Sequence, residues 1–152
     1  IVSRVPAFAK SERKRLVQHP RYFFFDTGVL GGLLDNFNVS TDRIGQYFEN
    51  LLFNQLQCTA WSYDEPIRIS SYRTAAGAEV DFIVEVRGRV WAIEVKASTN
   101  IGPEDLSGLK SFTDFYAKPC EQAVAYLGTT RRRLGKVEVW PWQDLLTQIF
   151  SA

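Results

Sequence analysis

The sequence predicts an α/β domain built on a mixed sheet with helices on both faces. A hairpin signature runs from Glu79 to Lys96, two strands rich in β-branched and aromatic residues around Gly88. An amphipathic helix pattern precedes it, and helix and strand patterns alternate after it.

The 152 residues suffice for one domain with a substantial core, and 45% hydrophobic with 23% charged content is ordinary for a globular chain. A net charge of +1 supplies no global attraction to nucleic acid, so any such attraction must come from local clusters. Cys58 and Cys120 lie far apart and form no CxxC pair, which predicts reduced core residues of a cytoplasmic protein rather than a disulfide or a zinc site. No apolar run reaches the length of a membrane span and no signal peptide is evident, so no membrane partner is expected. The chain opens on Ile1 and contains no methionine, which reads as a piece of a longer polypeptide.

Residues 1–25 read as a long hairpin. Its arms are Ile1 to Val5 and Tyr22 to Phe25, and its tip carries Lys10, Arg13, Lys14 and Arg15, a basic group suited to tracking a phosphate backbone. A solvated loop is the plainer reading of such a tip, as it is of His19, the only histidine. Asp26-Thr27-Gly28 turns the chain into a short helix over Val29 to Leu34, and a polar linker follows. Thr41 or Asp42 is placed to cap a helix over Arg43 to Gln57, in which Ile44, Tyr47, Phe48, Leu51, Leu52 and Gln55 recur at helical spacing. Glu49 falls at the edge of that stripe, within reach of a neighbouring sheet. A turn at Asp64-Glu65-Pro66 leads to a strand over Ile67 to Arg73, and the Glu79 to Lys96 hairpin follows. Pro103 opens a helix to Tyr116, and Ala123 to Leu127 reads as a short buried strand. Arg131-Arg132-Arg133 reads as a basic loop before a strand over Lys136 to Trp140 and a helix over Pro141 to Ile149. The tryptophans are read as packing residues rather than as platforms for bases.

Side chains alternate faces along a strand. Val80, Phe82, Val84 and Val86 are therefore expected on one side of the hairpin's first arm, with Asp81, Ile83 and Glu85 on the other. In the second arm Trp91, Ile93 and Val95 oppose Val90, Ala92, Glu94 and Lys96. With Phe82 and Ile93 in one core, a two-residue turn at Arg87-Gly88 sets Asp81 opposite Glu94, and one at Gly88-Arg89 sets it opposite Lys96. Both registers gather the three charges on one face; a three-residue loop without a bulge would not. Neighbouring carboxylates raise each other's pKa, and a hard divalent cation with oxygen ligands, Mg²⁺ or Mn²⁺, keeps both ionised. A solvated face would carry the same residues. Ile83, Val90 and Ala92 on that face point instead to enclosure, where a charge needs a partner.

The order from Arg43 to Leu127 is a helix with a glutamate, three strands with Asp81 on the second and Glu94-x-Lys96 on the third, then a helix and a strand. It resembles the PD-(D/E)xK nuclease superfamily, whose restriction-endonuclease-like fold has an αβββαβ core with a mixed central sheet flanked by helices. Asp81 matches the acid of the first motif, Glu94 and Lys96 its Glu-x-Lys, and Glu49 the helical acid of some branches; Val80 stands where the motif has proline. More narrowly, Tyr72-Arg73-Thr74 through Gly77, Glu79 to Phe82 and Ile93 to Ser98, together with Tyr22 to Gly28, resemble DUF4143, a C-terminal domain of bacterial and archaeal AAA-type ATPases. The resemblance implies that residues 1–34 are an N-terminal hairpin and junction, with residues 1–25 a remnant of a winged-helix wing, and that residues 35–152 are the nuclease-like domain. It also implies an N-terminal ATPase module as partner in the full-length chain. No GxxxxGK[ST] occurs in this one.

By the same resemblance Asp81, Glu94 and the backbone carbonyl of Val95 hold Mg²⁺ or Mn²⁺, with Glu49 as a further carboxylate. Such an ion activates a water, and Lys96 orients that water or stabilises charge on the phosphoryl oxygens. Nucleic acid, DNA before RNA, would meet Arg73, Ser98, Arg131, Arg132 and Arg133 and the basic tip with Lys10, Arg13 and Lys14. The expected activity is metal-dependent hydrolysis of phosphodiester bonds. The alternative is a module of the same fold that binds DNA or a protein partner without cutting and targets the attached ATPase. A phosphodiesterase for a smaller substrate is a third reading.

Overall fold

The structure is a computed structural model that describes residues 2–9 and 19–151. Lys10, Arg13 and Lys14 lie outside the described residues.

Strand β1 (Val2–Val5) pairs antiparallel with β2 (Arg21–Phe24). Helix α1 (Thr27–Leu33) is capped by Asp26, whose Oδ1 accepts the Val29 N–H at 3.0 Å. Helix α2 (Ile44–Ser62) runs five residues past the expected end, because Leu56 and Ala60 continue the buried stripe. It also lacks the expected Thr41 or Asp42 cap. A turn over residues 41–43 leads straight into the helix, and the Ile44 N–H bonds Ser40 O at 3.0 Å.

The remaining strands are β3 (Arg68–Arg73), β4 (Glu79–Val86), β5 (Arg89–Lys96), β6 (Glu121–Tyr126), β7 (Arg132–Leu134) and β8 (Val137–Pro141). A 3₁₀ turn over Pro103–Leu106 leads into α3 (Ser107–Tyr116), and α4 (Trp142–Phe150) closes the chain. The six strands form one sheet in the order β3-β4-β5-β6-β8-β7. The β5/β6 and β6/β8 pairs are parallel and the others antiparallel, so this is the mixed α/β architecture the sequence predicts. The expected basic loop at residues 131–133 is in part a strand. Gly135, at φ +61°, supports a tight turn that folds Arg132–Leu134 back onto β8.

One face of the sheet, with Phe82, Val84, Trp91, Ile93 and Ala123, packs against α2 and α4; the other, with Ile83, Ala92, Val124 and Val139, packs against α3. Among the tryptophans Trp91 and Trp140 are buried, but Trp61 stands out on α2, mostly exposed. Cys58 is exposed rather than a core residue, and both cysteines are free. No helix among the described residues is long and apolar enough to cross a membrane.

The N-terminal hairpin belongs to the same cores. Phe23 stacks on Phe53 at 4.7 Å and leans on Phe82 at 5.4 Å. Buried Asn50 then clamps the next residue as a strand neighbour would: its Oδ1 accepts the Phe24 N–H at 2.8 Å and its Nδ2 donates to Phe24 O at 2.9 Å. Beyond β1, Ala7 bridges Ser71 on the outer edge of β3, and Phe8 enters the α3 core edge-on to Phe112.

Candidate functional site

The β4/β5 register runs from Val86↔Arg89 to Phe82↔Ile93, the alternative with the turn at Arg87-Gly88. Asp81 is the next residue along, across from Glu94. Here the ladder changes. Between Ser70↔Ile83 and Tyr72↔Val80, two residues of β4, Asp81 and Phe82, stand against Ser71 alone, a β-bulge. The bulge corrects the simple alternation. Val80 joins Ile83 in the core under α3 instead of Phe82 under α2. It also re-aims Asp81, whose Oδ2 accepts the Val95 N–H at 2.8 Å in place of a strand carbonyl.

The other Asp81 oxygen meets a residue that the sequence reading did not single out. Arg21 Nη1 donates to Asp81 Oδ1 at 3.0 Å, and Arg21 Nη2 bonds Glu49 Oε2. One guanidinium thus ties β2, β4 and α2 together. A sequence signal for it exists: Arg21 and Phe23 share a strand face, so a buried Phe23 directs Arg21 inward, where it requires carboxylates. Glu94 and Lys96 form the other half of the site. Lys96 Nζ lies 3.1 Å from Glu94 Oε1 and 3.4 Å from Asp105 Oδ1, while Asp105 Oδ2 accepts the Gly102 N–H at 2.9 Å. Asp105 too was not singled out; its place in the first turn after Pro103 hides it among ordinary capping acids.

Asp81 and Glu94 are 7% and 8% exposed, so the charges are enclosed as their apolar neighbours suggest. Burial and the Asp81 charge push the Glu94 carboxyl up to about 8, against Lys96. Burial and the Asp81 charge likewise push Glu49 up to about 7, against Arg21. Asp81 is raised by burial, opposed by the Val95 N–H and Arg21. Burial works against the charge on Arg21 and on Lys96, but their carboxylates outweigh it and hold both above the usual range. Four acids, Glu49, Asp81, Glu94 and Asp105, thus share two cations. Glu94 Oε2 is buried and has no hydrogen-bond partner.

The hard oxygen donors, the excess of acids over cations and the orphaned Glu94 oxygen fit a divalent cation chemically. The side-chain arrangement is a different matter. Among the described residues no three Asp, Glu, His or Cys side chains converge as a ready metal site, and Arg21 takes up the space between Glu49 and Asp81. The Arg21, Glu49 and Asp81 half opens onto a cleft of about 580 Å³ that Tyr72, Arg73, Glu79 and His19 also line.

The remaining candidates are spread out. Arg73 lies 3.7 Å from Glu79 at that cleft. Ser98 exchanges hydrogen bonds with its own loop, at Asn100. Arg131 and Arg133 pair with Glu138, Arg131 lies over the Trp140 ring at 3.6 Å, and Arg132 donates to Thr99 O at 3.0 Å. These three belong to the β7/β8 edge of the sheet, the end opposite β3 and β4.

A family model described as a domain of unknown function, DUF4143, matches residues 44–145. No curated protein matches the chain. The match begins at the first residue of α2, ends within α4, and includes Glu49, Asp81, Glu94 and Lys96 but not Arg21. With 102 of 152 residues inside that match, the chain belongs to the DUF4143 family.

Proposed function

We propose that this domain is a metal-dependent phosphodiesterase of the nuclease type, acting on nucleic acid, DNA before RNA, in the cytoplasm and as one module of an AAA-type ATPase. The observation that carries the reading is Glu94 Oε2, a buried carboxyl oxygen left without a partner beside an Asp81 side chain pinned by the Val95 N–H. An enclosed acid in that condition is costly unless a ligand completes it. Asp81, Glu94 and the Val95 carbonyl would hold Mg²⁺ or Mn²⁺, with Glu49 as a further ligand once Arg21 is displaced. When bound, such an ion lowers the pKa of a water and neutralises charge on the attacked phosphate. Lys96 is already within 3.1 Å of Glu94 and would turn its ammonium from the acids to the water or a phosphoryl oxygen. Arg73 at the cleft mouth would add a contact to the phosphate backbone without reading sequence.

Calorimetry with Mn²⁺ on the intact chain and on Asp81→Ala tests this. Saturable uptake by the intact chain, lost in the variant, is the expected result, followed by metal-dependent cleavage of a DNA substrate. A second reading is favoured by a specific observation: Arg21 and Lys96 already pair the acids, as in a structural ion network. On it the domain binds DNA or a protein partner without cutting and targets the ATPase. Absence of uptake at millimolar Mn²⁺, with or without DNA, would select that second reading.

A further inference from the structure

The acids that the proposed function assigns to a cation already hold one. Arg21 bridges Glu49 and Asp81 from β2, and β2 lies outside the span matched by the family. The backbone beneath it is fixed, with Phe23 stacked in the core and Phe24 clamped by Asn50. The side chain is not: Arg21 is 37% exposed and faces the 580 Å³ cleft, so its guanidinium can leave the acids without moving the strand. A guanidinium and a divalent ion are alternative partners for the same carboxylate oxygens. From this geometry we infer that Arg21 and a divalent cation compete for Glu49 and Asp81, so that the N-terminal hairpin sets how readily the site is loaded.

This inference rests on the metal-site reading and adds an element to it. The intact chain should take up metal weakly, because uptake must displace an ion pair that is already formed. The Lys96 half of the site is not part of the competition, since Lys96 pairs with Glu94 and Asp105 and not with Glu49. Coupling of this kind is reciprocal, so a ligand that draws Arg21 into the cleft tightens metal binding by the factor by which metal tightens that ligand's own binding.

The test is Mn²⁺ calorimetry on the intact chain, Arg21→Gln, Arg21→Lys and Arg21→Gln/Asp81→Ala, with a thermal melt of each. Arg21→Gln should bind Mn²⁺ at least about tenfold more tightly than the intact chain. It should melt lower without metal, because buried Asp81 and half-buried Glu49 lose their cation, and recover on adding Mn²⁺. Arg21→Lys, which keeps the charge but not the fork, should fall between the two. Equal affinity in the intact chain and Arg21→Gln, with uptake lost in the double variant, would overturn the competition and leave the metal site standing. Failure of every folded variant to take up Mn²⁺ would remove the metal site and the competition with it.

Discussion

Gly108→Ala is expected to lower the stability of the domain by about 3 kcal/mol, although alanine favours a helix by about 1 kcal/mol over glycine. Gly108 opens the first turn of α3, where a Cβ would lie 1.8 Å from the backbone oxygen of Glu79 and 2.9 Å from its carbonyl carbon. No rotamer relieves a clash with backbone. Either α3 lifts from β4, loosening Leu109 and Phe112 in their core, or the start of β4 moves away. The second escape displaces the strand two residues before Asp81, so the damage should reach the candidate site as well. For a domain of this size the melting temperature should fall by about 10 °C. Thermal denaturation of Gly108→Ala beside Gly45→Ala, a helical glycine with nothing within 4 Å of the added methyl, makes the comparison. The second variant should be neutral or stabilising, and a small effect at Gly108 would mean that α3 does not sit on β4 this closely.

The second large effect is a dependence of stability on pH with an uncommon sign. Glu94 and Glu49 titrate near 8 and 7 in the folded chain, well above the ordinary glutamate value of 4.5. Between those values the native state holds protons that the unfolded chain has released, so stability must fall as pH rises. Their contribution is complete below pH 4.5, erodes through neutrality and is gone above pH 8. Because the acids share a site they titrate together, and the loss over that window is on the order of 3 kcal/mol for the cluster. Denaturant unfolding at pH 5.5, 7 and 8.5 measures it. Glu94→Gln should remove the Glu94 share of the slope, keep that of Glu49, and be more stable than the parent at pH 8.5 by about 2 kcal/mol. A carboxylate cluster satisfied by its own cations would give the opposite slope, with stability rising with pH. Added Mn²⁺ should flatten the curve of the parent and leave that of Glu94→Gln unchanged.

The alternation of Phe82, Val84, Trp91 and Ile93 was enough to place the hairpin in the sheet and its cores against helices, because a buried two-residue period tolerates no slip. Alternation could not choose the turn. Arg87 and Gly88 both adopt positive φ, which arginine alone disfavours; distant contacts hold it there, Glu65 at 2.6 Å and the Phe150 carbonyl at 3.0 Å. The bulge was hidden for the same reason. Asp81 and Phe82 have strand-like neighbours, and only the pairing with β3 reveals an added residue. Asp81, Glu94, Lys96 and Glu49 were legible as polar residues at meaningful positions, yet their partners were not. Arg21 and Asp105 come to them from elements 60 residues before Asp81 and nine after Lys96, across distances that local pattern does not span.

The bridge between Ala7 and Ser71 has a consequence for how the molecule behaves among its own kind. β3 is the outermost strand on its side of the sheet, and such a strand invites another chain to add to it. The Pro6 carbonyl and the Phe8 N–H engage the Ser71 N–H and carbonyl at 3.0 Å and 2.6 Å, and Phe8 anchors the segment in the α3 core. A few residues from the start of the chain therefore act as a guard rail along an otherwise adhesive border. A chain shortened to begin at Arg21 would keep every acid of the site and lose that cover. Its characteristic failure would be concentration-dependent self-association by strand addition, visible in light scattering before any loss of helix or sheet signal.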